Sequence, residues 1–438
     1  RSRGRQEGVL LWNLPLRSSG RQEGVLLWNL PLRSRGRQEG VLLWNLPLRS
    51  AAGGGRRGFP TASSALLPGV HPILENGLAA RGEGGFHVGM SDTDLTKRLD
   101  LRHPVIQGPF GGGYSTVRLA SAVSNLGGLG SMGVQHLDAA GIEEAGRALR
   151  AATDRPFGLN LWVSDHDPGG LAPDPATLER ARALFEPWFR EVGQELPAPP
   201  ARWGQRFGEQ VEGLLAARPA VFSFIYGVPP APVLAECRRL GIVTAGCATT
   251  LDEARALDEA RVDLIVASGC EAGGHRPSWL APAEDSLLST LALVPLVADR
   301  VRAPVIAAGG VVDGRGVRAV LALGAQAAQV GTAFLACEES GASPAHRAAL
   351  FGPPAERTML SRGFSGRLAR GLRGRFLEEM AARTAELAPF PVHAWFQARF
   401  REAALAASRE DLIPYYAGQA APNLRHRSVP ALMSALTA

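Results

Sequence analysis

The central segment of this chain reads Val266-Ala267-Ser268-Gly269-Cys270-Glu271-Ala272-Gly273-Gly274-His275-Arg276. The apolar run at 264–267 predicts a buried strand, which leads into a glycine-rich loop that ends in a histidine beside an arginine. Glycine lets a backbone approach a flat or charged ligand closely, and an imidazole, with an ordinary pKa of about 6.5, can exchange protons at neutral pH. The pattern is typical of an active-site loop, although a tight turn with a packed or capping histidine would contain the same residues.

Short apolar runs alternate with amphipathic helical segments on both sides of this loop. Strands are predicted at 104–107, 128–132, 157–162, 220–224, 241–245, 264–267, 305–308 and 328–330. Helices are predicted at 116–126, 137–151, 232–240, 251–259, 286–301 and 316–323. Eight strand and helix units in about 240 residues predict an α/β fold of the (β/α)8 TIM-barrel class.

Residues 1–89 differ from the rest of the chain. Three near-identical copies of a 16-residue unit occupy 1–48, and Gly- and Arg-rich sequence continues to the first methionine, Met90. Such identity indicates recent duplication, so we expect upstream sequence read as protein or a disordered tail. The three Val-Leu-Leu-Trp-Asn-Leu motifs could also bind a partner or a membrane surface, and a transit peptide ranks lower.

The domain prediction has four regions. They are this extension at 1–89, the barrel at 90–337, a helical domain that covers one face of the barrel at 338–422, and a C-terminal helix at 423–438 that returns to the barrel. The last two follow from the end of the strand and helix alternation after Cys337 and from the Ala-, Arg- and Glu-rich helical pattern of 344–407.

The charge distribution argues against a nucleic-acid partner. Residues 1–89 carry twelve arginines and five glutamates, whereas the remaining residues hold 35 basic and 36 acidic side chains. The four cysteines lack a Cys-x-x-Cys pair and the histidines lack ligand spacing, which predicts reduced thiols and no structural metal. No apolar run approaches the roughly 18 residues of a membrane helix, so we expect a cytoplasmic enzyme without a membrane partner.

Glycine-containing loops follow the last two predicted strands, at 307–311 and 329–333. In a (β/α)8 barrel these loops often bind a phosphate through backbone N–H groups and a helix dipole. Either loop alone could be a tight turn, but two at these positions predict a phosphorylated cofactor. Segment 128–133 matches G-x-G-x-x-G, yet a helix precedes it and the glycines run through a predicted strand. We therefore interpret its small residues as room for a ligand and not as a dinucleotide fingerprint.

Two further strand ends carry candidate ligand contacts. The first strand ends in Gln107-Gly108-Pro109-Phe110-Gly111-Gly112-Gly113, and four glycines in six positions predict a broad planar group against this backbone. Asn160 ends the third predicted strand, where its amide could hydrogen-bond a heterocycle or only satisfy a neighbouring loop.

These motifs are together similar to those of the nitronate monooxygenase family, formerly called 2-nitropropane dioxygenases. The resemblance spans residues 101–421 and rests on segments 104–109, 122–130, 157–160, 269–276, 307–310, 329–334, 364–367 and 417–420. It implies an FMN-binding barrel with a small helical domain, in which His275 takes the proton from the carbon that bears the nitro group. The FMN contacts that it implies are Phe110, Gly111, Gly112, Asn160, Ser268, Gly273, Gly274, Gly309, Gly310, Gln329, Gly331 and Thr332.

The family pattern differs from this chain at three places, of which the first shortens an expected flavin contact and the other two alter the pocket where substrate would sit. Ser268 stands where many members have Gln, Pro277 stands where glycine is usual, and Phe110-Gly111 stands where many members have Met-Ala. The resemblance therefore specifies the cofactor more closely than the substrate.

The resemblance implies oxidation of an alkyl nitronate or nitroalkane by FMN and O2 to a carbonyl compound and nitrite. Separately, a homodimer is a candidate assembly. A flavin-dependent NAD(P)H reductase of the same superfamily, acting on quinones or on enoyl-acyl carrier protein, is the alternative. A flavin-storing barrel without turnover is a third reading, against which the intact His275 argues. A barrel that binds a phosphorylated metabolite without flavin is a fourth.

Overall fold

The computed structural model describes residues 93–163 and 170–438, and parallel strands form its centre. Its strands are β1 Val105–Gln107, β2 Gly130–Gly133, β3 Phe157–Trp162, β4 Val221–Ile225, β5 Val243–Ala248, β6 Leu264–Ser268, β7 Gly274–His275, β8 Val305–Ala308, β9 Ala327–Val330, β10 Thr358–Ser361 and β11 Ala369–Leu372. Within the described residues, eight strands pair in parallel in the order β1-β9-β8-β6-β5-β4-β3-β2. A bridge from Ile106 to Leu129 joins β1 to β2 and closes the ring. The predicted (β/α)8 TIM barrel is confirmed.

Helices cover the outside of the ring and extend beyond it. They are α1 Asp94–Arg98, α2 Val117–Asn125, α3 Ala139–Ala152, α4 Pro175–Glu191, α5 Phe207–Ala217, α6 Ala231–Arg239, α7 Leu251–Glu259, α8 Thr290–Ala298, α9 Gly314–Ala322, α10 Thr332–Leu335, α11 Pro344–Phe351, α12 Arg375–Ala382, α13 Val392–Ala406 and α14 Val429–Leu436. The predicted barrel strands and helices agree with these bounds to within four residues at each end. The sequence reasoning did not predict α4 and α5.

Packing closes the amino-terminal end of the barrel and leaves the carboxyl end for a ligand. Leu95 and Leu99, from α1 and the residue after it, pack with the inward-facing Ile106 and Val266. The backbone N–H of Leu95 donates to Oε1 of Gln326 at 3.0 Å, which fixes α1 beneath the strands. Burial of these leucines stabilises the end of the barrel that carries no catalytic loops.

A separate aromatic core holds a helical layer together. Phe185 and Trp188 of α4 pack with Phe396 and Phe400 of α13. The helical layer thus joins a segment that precedes β4 in sequence to a segment that follows β9. The segment 344–407, expected to be mostly helical, also contains the antiparallel strands β10 and β11. Its pattern did not predict them, because β10 is only partly buried and β11 is buried throughout, so neither alternates.

The C-terminal helix α14 packs against the barrel helix α2. Val429, Leu432 and Met433 share one core cluster with Leu119 and Val123. The predicted extension at 1–89 lies outside the described residues. Among the helices that the structure describes, none is long and apolar enough to span a membrane.

Candidate active site

A cavity of about 1110 Å³ lies at the carboxyl ends of the barrel strands. All thirteen residues that sequence reasoning selected line it. They are Phe110, Gly111, Gly112, Asn160, Ser268, Gly273, Gly274, His275, Gly309, Gly310, Gln329, Gly331 and Thr332. The structure therefore brings together residues that are separated by up to about 220 positions, because parallel strands direct their following loops to one end of the barrel.

The loop that carries His275 is held as a strand of a second sheet. His275 pairs with Ala369 in an antiparallel register, and the N–H of Arg276 donates to the carbonyl of Leu368 at 2.8 Å. The buried guanidinium of Arg276 donates to the carbonyls of Ser268 and Ser286 on the opposite side. These contacts fix the backbone on both sides of the imidazole, so the loop is a rigid support.

Two carboxylates complete this support. Glu271 accepts hydrogen bonds from the N–H of Thr290 at 2.9 and 3.0 Å, which places it at the N-terminus of α8. Glu253, fully buried, accepts from the N–H groups of Thr249 and Trp279 at 2.6 Å each. Neither carboxylate is therefore free to act as a base, and both serve the geometry of the loop.

The imidazole of His275 lies among aromatic side chains and one hydroxyl. Its Nε2 is 2.7 Å from Oγ of Ser365. The centre of its ring lies 4.8 Å from the ring centre of Trp162 and 5.7 Å from that of Tyr416. Burial, and then the positive charge of Arg367, lower the pKa of His275 to about 3. At neutral pH the imidazole is therefore uncharged and able to accept a proton.

Arg367 is held behind His275 in an aromatic cage. Its guanidinium carbon lies 3.8 Å from the ring centre of Tyr226, 4.4 Å from that of Phe390 and 5.5 Å from that of Trp162. Such cation–π contacts stabilise a desolvated cation by about 2 kcal/mol. The cage therefore keeps a positive charge close to the imidazole without exposing it to solvent.

The glycines of the cavity divide into two groups. A Cβ atom at Gly112 or Gly274, both with positive φ, would meet nothing within 4 Å, so these positions present bare backbone to the cavity. At Gly273 a Cβ atom would lie 2.5 Å from the nitrogen of Gly418, and at Gly309 it would lie 2.8 Å from Oγ1 of Thr290. These last two glycines are required by contacts within the protein.

The remaining predicted residues supply polar atoms. Nδ2 of the buried Asn160 donates to Oγ of Ser223 at 2.9 Å, and Gln329 lines the cavity at the end of β9. Oγ1 of Thr332 accepts from the N–H of Gly418 at 2.9 Å, so its hydroxyl holds the loop at 417–420. Amide and hydroxyl groups of this kind can recognise the polar edge of a heterocycle.

The G-x-G-x-x-G segment at 128–133 follows α2 and forms β2, which agrees with its rejection as a dinucleotide fingerprint. Its glycines, however, make room for protein and not for a ligand. A Cβ atom at Gly130 would lie 1.9 Å from the carbonyl oxygen of Ala120, and at Gly133 it would lie 2.7 Å from the nitrogen of Gly111. Gly133 thus positions the 110–113 loop at the cavity wall.

Sequence reasoning missed three residues next to His275. Ser365, Arg367 and Tyr416 approach it from the helical layer, 90 or more positions along the chain. The only local signal was the segment 364–367, which carried part of the family resemblance without an assigned role.

A parallel eight-stranded barrel with a histidine and glycine loops at the carboxyl ends of its strands has the architecture of a (β/α)8-barrel enzyme. The family model for nitronate monooxygenase matches residues 92–438. The nitronate monooxygenase of Pseudomonas aeruginosa is 41% identical over 353 residues, which cover 78% of this chain and 97% of that protein. The chain belongs to the nitronate monooxygenase family, whose members are oxidoreductases.

Further relatives agree with this membership. A probable nitronate monooxygenase of Staphylococcus aureus is 35% identical and covers 74% of this chain and 90% of its own length. The crystal structure of nitroalkane oxidase from Streptomyces ansochromogenes superposes with a TM-score of 0.71 at 36% identity, over 78% of this chain and 96% of that one. FabK from Thermotoga maritima is less similar, with a TM-score of 0.61 at 25% identity over 79% and 94% of the two chains.

Proposed function

We propose that this protein is an FMN-dependent nitronate monooxygenase that oxidises alkyl nitronates or nitroalkanes with O2 to a carbonyl compound and nitrite. The observation that carries the proposal is His275, an uncharged imidazole fixed by Ser365 in a cavity to which Gly112 and Gly274 present bare backbone. Membership of the nitronate monooxygenase family supports the same reaction.

FMN fits the residues that line the cavity, because open glycine backbone and convergent amides suit a flat, phosphorylated heterocycle. The loops at 309–310 and 331–332 would hold its phosphate, and Asn160, Gln329 and Ser268 its polar ring atoms. The backbone at 110–112 and 273–274 would lie against the ring. Bound there, FMN supplies the redox chemistry, in which electrons pass from the deprotonated substrate to O2.

The protein's own part in the reaction is proton transfer and exclusion of water. His275 accepts the proton of the nitro-bearing carbon, while the hydrogen bond between Nε2 and Oγ of Ser365 fixes the direction of the ring. Trp162 and Tyr416 surround the imidazole with apolar surface, which keeps water away from the reacting carbon. A substrate that arrives already ionised needs no base and depends on His275 only for position.

The proposed setting is the cytoplasm, where the four free cysteines would remain reduced. O2 and a small nitro compound are the proposed reaction partners, and a homodimer is the proposed assembly. An NAD(P)H-dependent reductase remains the competing function, and the lower similarity to FabK supports it less well.

The deciding experiment compares reduction by a nitronate with reduction by the two nicotinamides. The chromophore is first released from a sample of the purified full-length protein and identified, with FMN expected. A second, intact sample is then mixed anaerobically with propyl nitronate and, separately, with NADH and NADPH. We expect the visible flavin absorbance to be bleached by the nitronate and to be unaffected by either nicotinamide. Bleaching by a nicotinamide alone would make the protein a reductase.

A further inference from the structure

The cavity continues past His275 into a region with mostly apolar walls, which we call the apolar arm. Its walls are Leu171, Trp203, Gly204, Phe390, Pro391, Ala394, Trp395 and Ala398. Trp162 connects the arm to His275: its ring centre lies 4.8 Å from the ring centre of His275 and 5.2 Å from that of Phe390. The arm is therefore continuous with the place where a substrate carbon would meet the imidazole.

The helical layer, and not the barrel, builds this arm. Trp203 and Trp395 meet edge to face with their ring centres 5.5 Å apart. A Cβ atom at Gly204 would lie 3.2 Å from Cγ of Pro391 and 3.6 Å from Cδ2 of Leu171, so the two chain segments are in van der Waals contact. The walls are thus formed and packed without a ligand.

Two arginines near the arm pair with carboxylates, and a third, Arg401, has its guanidinium carbon 5.0 Å from the ring centre of Tyr114. Arg202 pairs with Glu209 at 2.6 Å, and Arg399 pairs with Glu402 at 3.0 Å. The side chains of all four are about half exposed, so the pairs lie at the mouth and leave apolar surface inside. An uncharged ligand group suits these walls better than an ionic one, which would lose its hydration there.

The volume of the cavity also bears on the size of the ligand. A cavity for one drug-sized ligand usually measures about 300–1,000 Å³, and this one measures about 1110 Å³. The whole cavity thus exceeds the usual range for one ligand, and an aromatic group gains most from burial between indole rings.

We propose that the apolar arm is a substrate subsite for an uncharged aromatic group attached, through a short alkyl chain, to the nitro-bearing carbon. The inference rests on the proposed nitronate oxidation and specifies its substrate class. Trp203 and Trp395 contact the aromatic group, while His275 contacts the reacting carbon.

The test compares the nitronates of 2-phenyl-1-nitroethane and nitroethane, through the ratio of their kcat/KM values. Ala398→Phe fills the arm, and Ala406→Phe adds the same bulk to an exposed position of α13 as the control. We expect the wild-type ratio to favour the phenyl substrate by about tenfold, and Ala398→Phe to remove that preference, because tenfold corresponds to about 1.4 kcal/mol and a buried aromatic contact contributes this much. A ratio that Ala398→Phe leaves unchanged would overturn the proposal.

A binding measurement separates the subsite from the reaction. 2-Phenylethanol, which has no acidic carbon, is titrated into the full-length holoenzyme by calorimetry, with ethanol and 3-phenylpropionate as comparisons. Binding of 2-phenylethanol to wild type that is lost in Ala398→Phe supports the arm even if neither nitronate is oxidised. Absence of binding to wild type, equal binding to both proteins, or tighter binding of the carboxylate would contradict it.

Discussion

His275, the proposed base, is kept uncharged at neutral pH by its surroundings. Burial among Trp162 and Tyr416 disfavours the imidazolium, and the pKa of His275 falls to about 3. A base with so low a pKa gains little driving force for abstracting a proton from carbon, and its advantage is position. The ring is held by Ser365 and by a strand pairing, so little reorganisation is needed when the substrate arrives.

Replacing His275 by Asn separates proton abstraction from the later oxidation. We expect kcat/KM for neutral nitroethane to fall about 10²- to 10⁴-fold, because general base catalysis contributes this much. The preformed ethyl nitronate should lose far less. Oxygen consumption with each substrate gives both values, and the content of the proposed FMN, measured in wild type and variant, is the control. Equal losses on the two substrates would show that His275 is not the base.

Burial lowers the pKa of His275 most, and the charge of Arg367 lowers it further. That charge disfavours the imidazolium, so Arg367→Met should raise the pKa of His275. The acidic limb of kcat/KM for neutral nitroethane should then move to higher pH. The preformed nitronate serves as the control, since it needs no base. A limb that stays in place while the flavin remains bound would contradict the electrostatic role.

At the scale of elements, the N-terminal turn of α7 anchors the segment that follows His275. Glu253→Gln keeps the shape of this side chain but places an NH2 group against the N–H donor of either Thr249 or Trp279, because only one of its two terminal atoms remains an acceptor. We expect a loss of about 1–3 kcal/mol in the free energy of unfolding, measured with urea, together with a lower kcat. Glu259→Gln changes an exposed residue of the same helix. Comparable effects of the two substitutions would refute the anchoring role.

The elements differ in how far the sequence reveals them. Barrel strands such as β6 are apolar runs bounded by turn residues, and their helices carry one apolar face, so both give local signals. α4 contains Pro187 and follows a proline-rich stretch, which obscured its helical pattern. β11 is stabilised by pairing with β10 and β7, a contact between distant segments that no local pattern records.

The same distinction holds for the candidate site in the whole molecule. His275 and the glycine loops lie directly after strands, so the barrel architecture alone predicts that they converge. Ser365 and Arg367 reach His275 only because the helical layer places its hairpin over the barrel. The apolar arm depends on contacts between 171–204 and 390–398, which are far apart in sequence. The residues of the proposed reaction could therefore be predicted from the sequence of the barrel, whereas the residues of the proposed substrate subsite are brought together only by the tertiary structure.

The whole molecule should lose stability on mild acidification, because it buries neutral histidines. Nε2 of His346 and of His393 each donates to a backbone carbonyl at 2.9 Å, and burial lowers the pKa of each to about 4. In the unfolded chain these groups titrate at about 6.5. Between about pH 6.5 and 4 the unfolded state therefore binds more protons than the native state. The free energy of unfolding should fall by about 1.4 kcal/mol per pH unit for each histidine.

His393→Gln tests this linkage, since the glutamine amide can still donate to the carbonyl of Gly363 but does not titrate. Urea unfolding of the full-length protein at pH 7 and pH 5 gives the change in the free energy of unfolding. Wild type also loses stability through carboxylates, so the informative quantity is the difference between the proteins. We expect the loss from pH 7 to 5 to be smaller in His393→Gln by about 1–2 kcal/mol, and unchanged in the control His426→Gln. An equal loss in all three proteins would mean that the buried imidazole of His393 is not a source of the acid sensitivity.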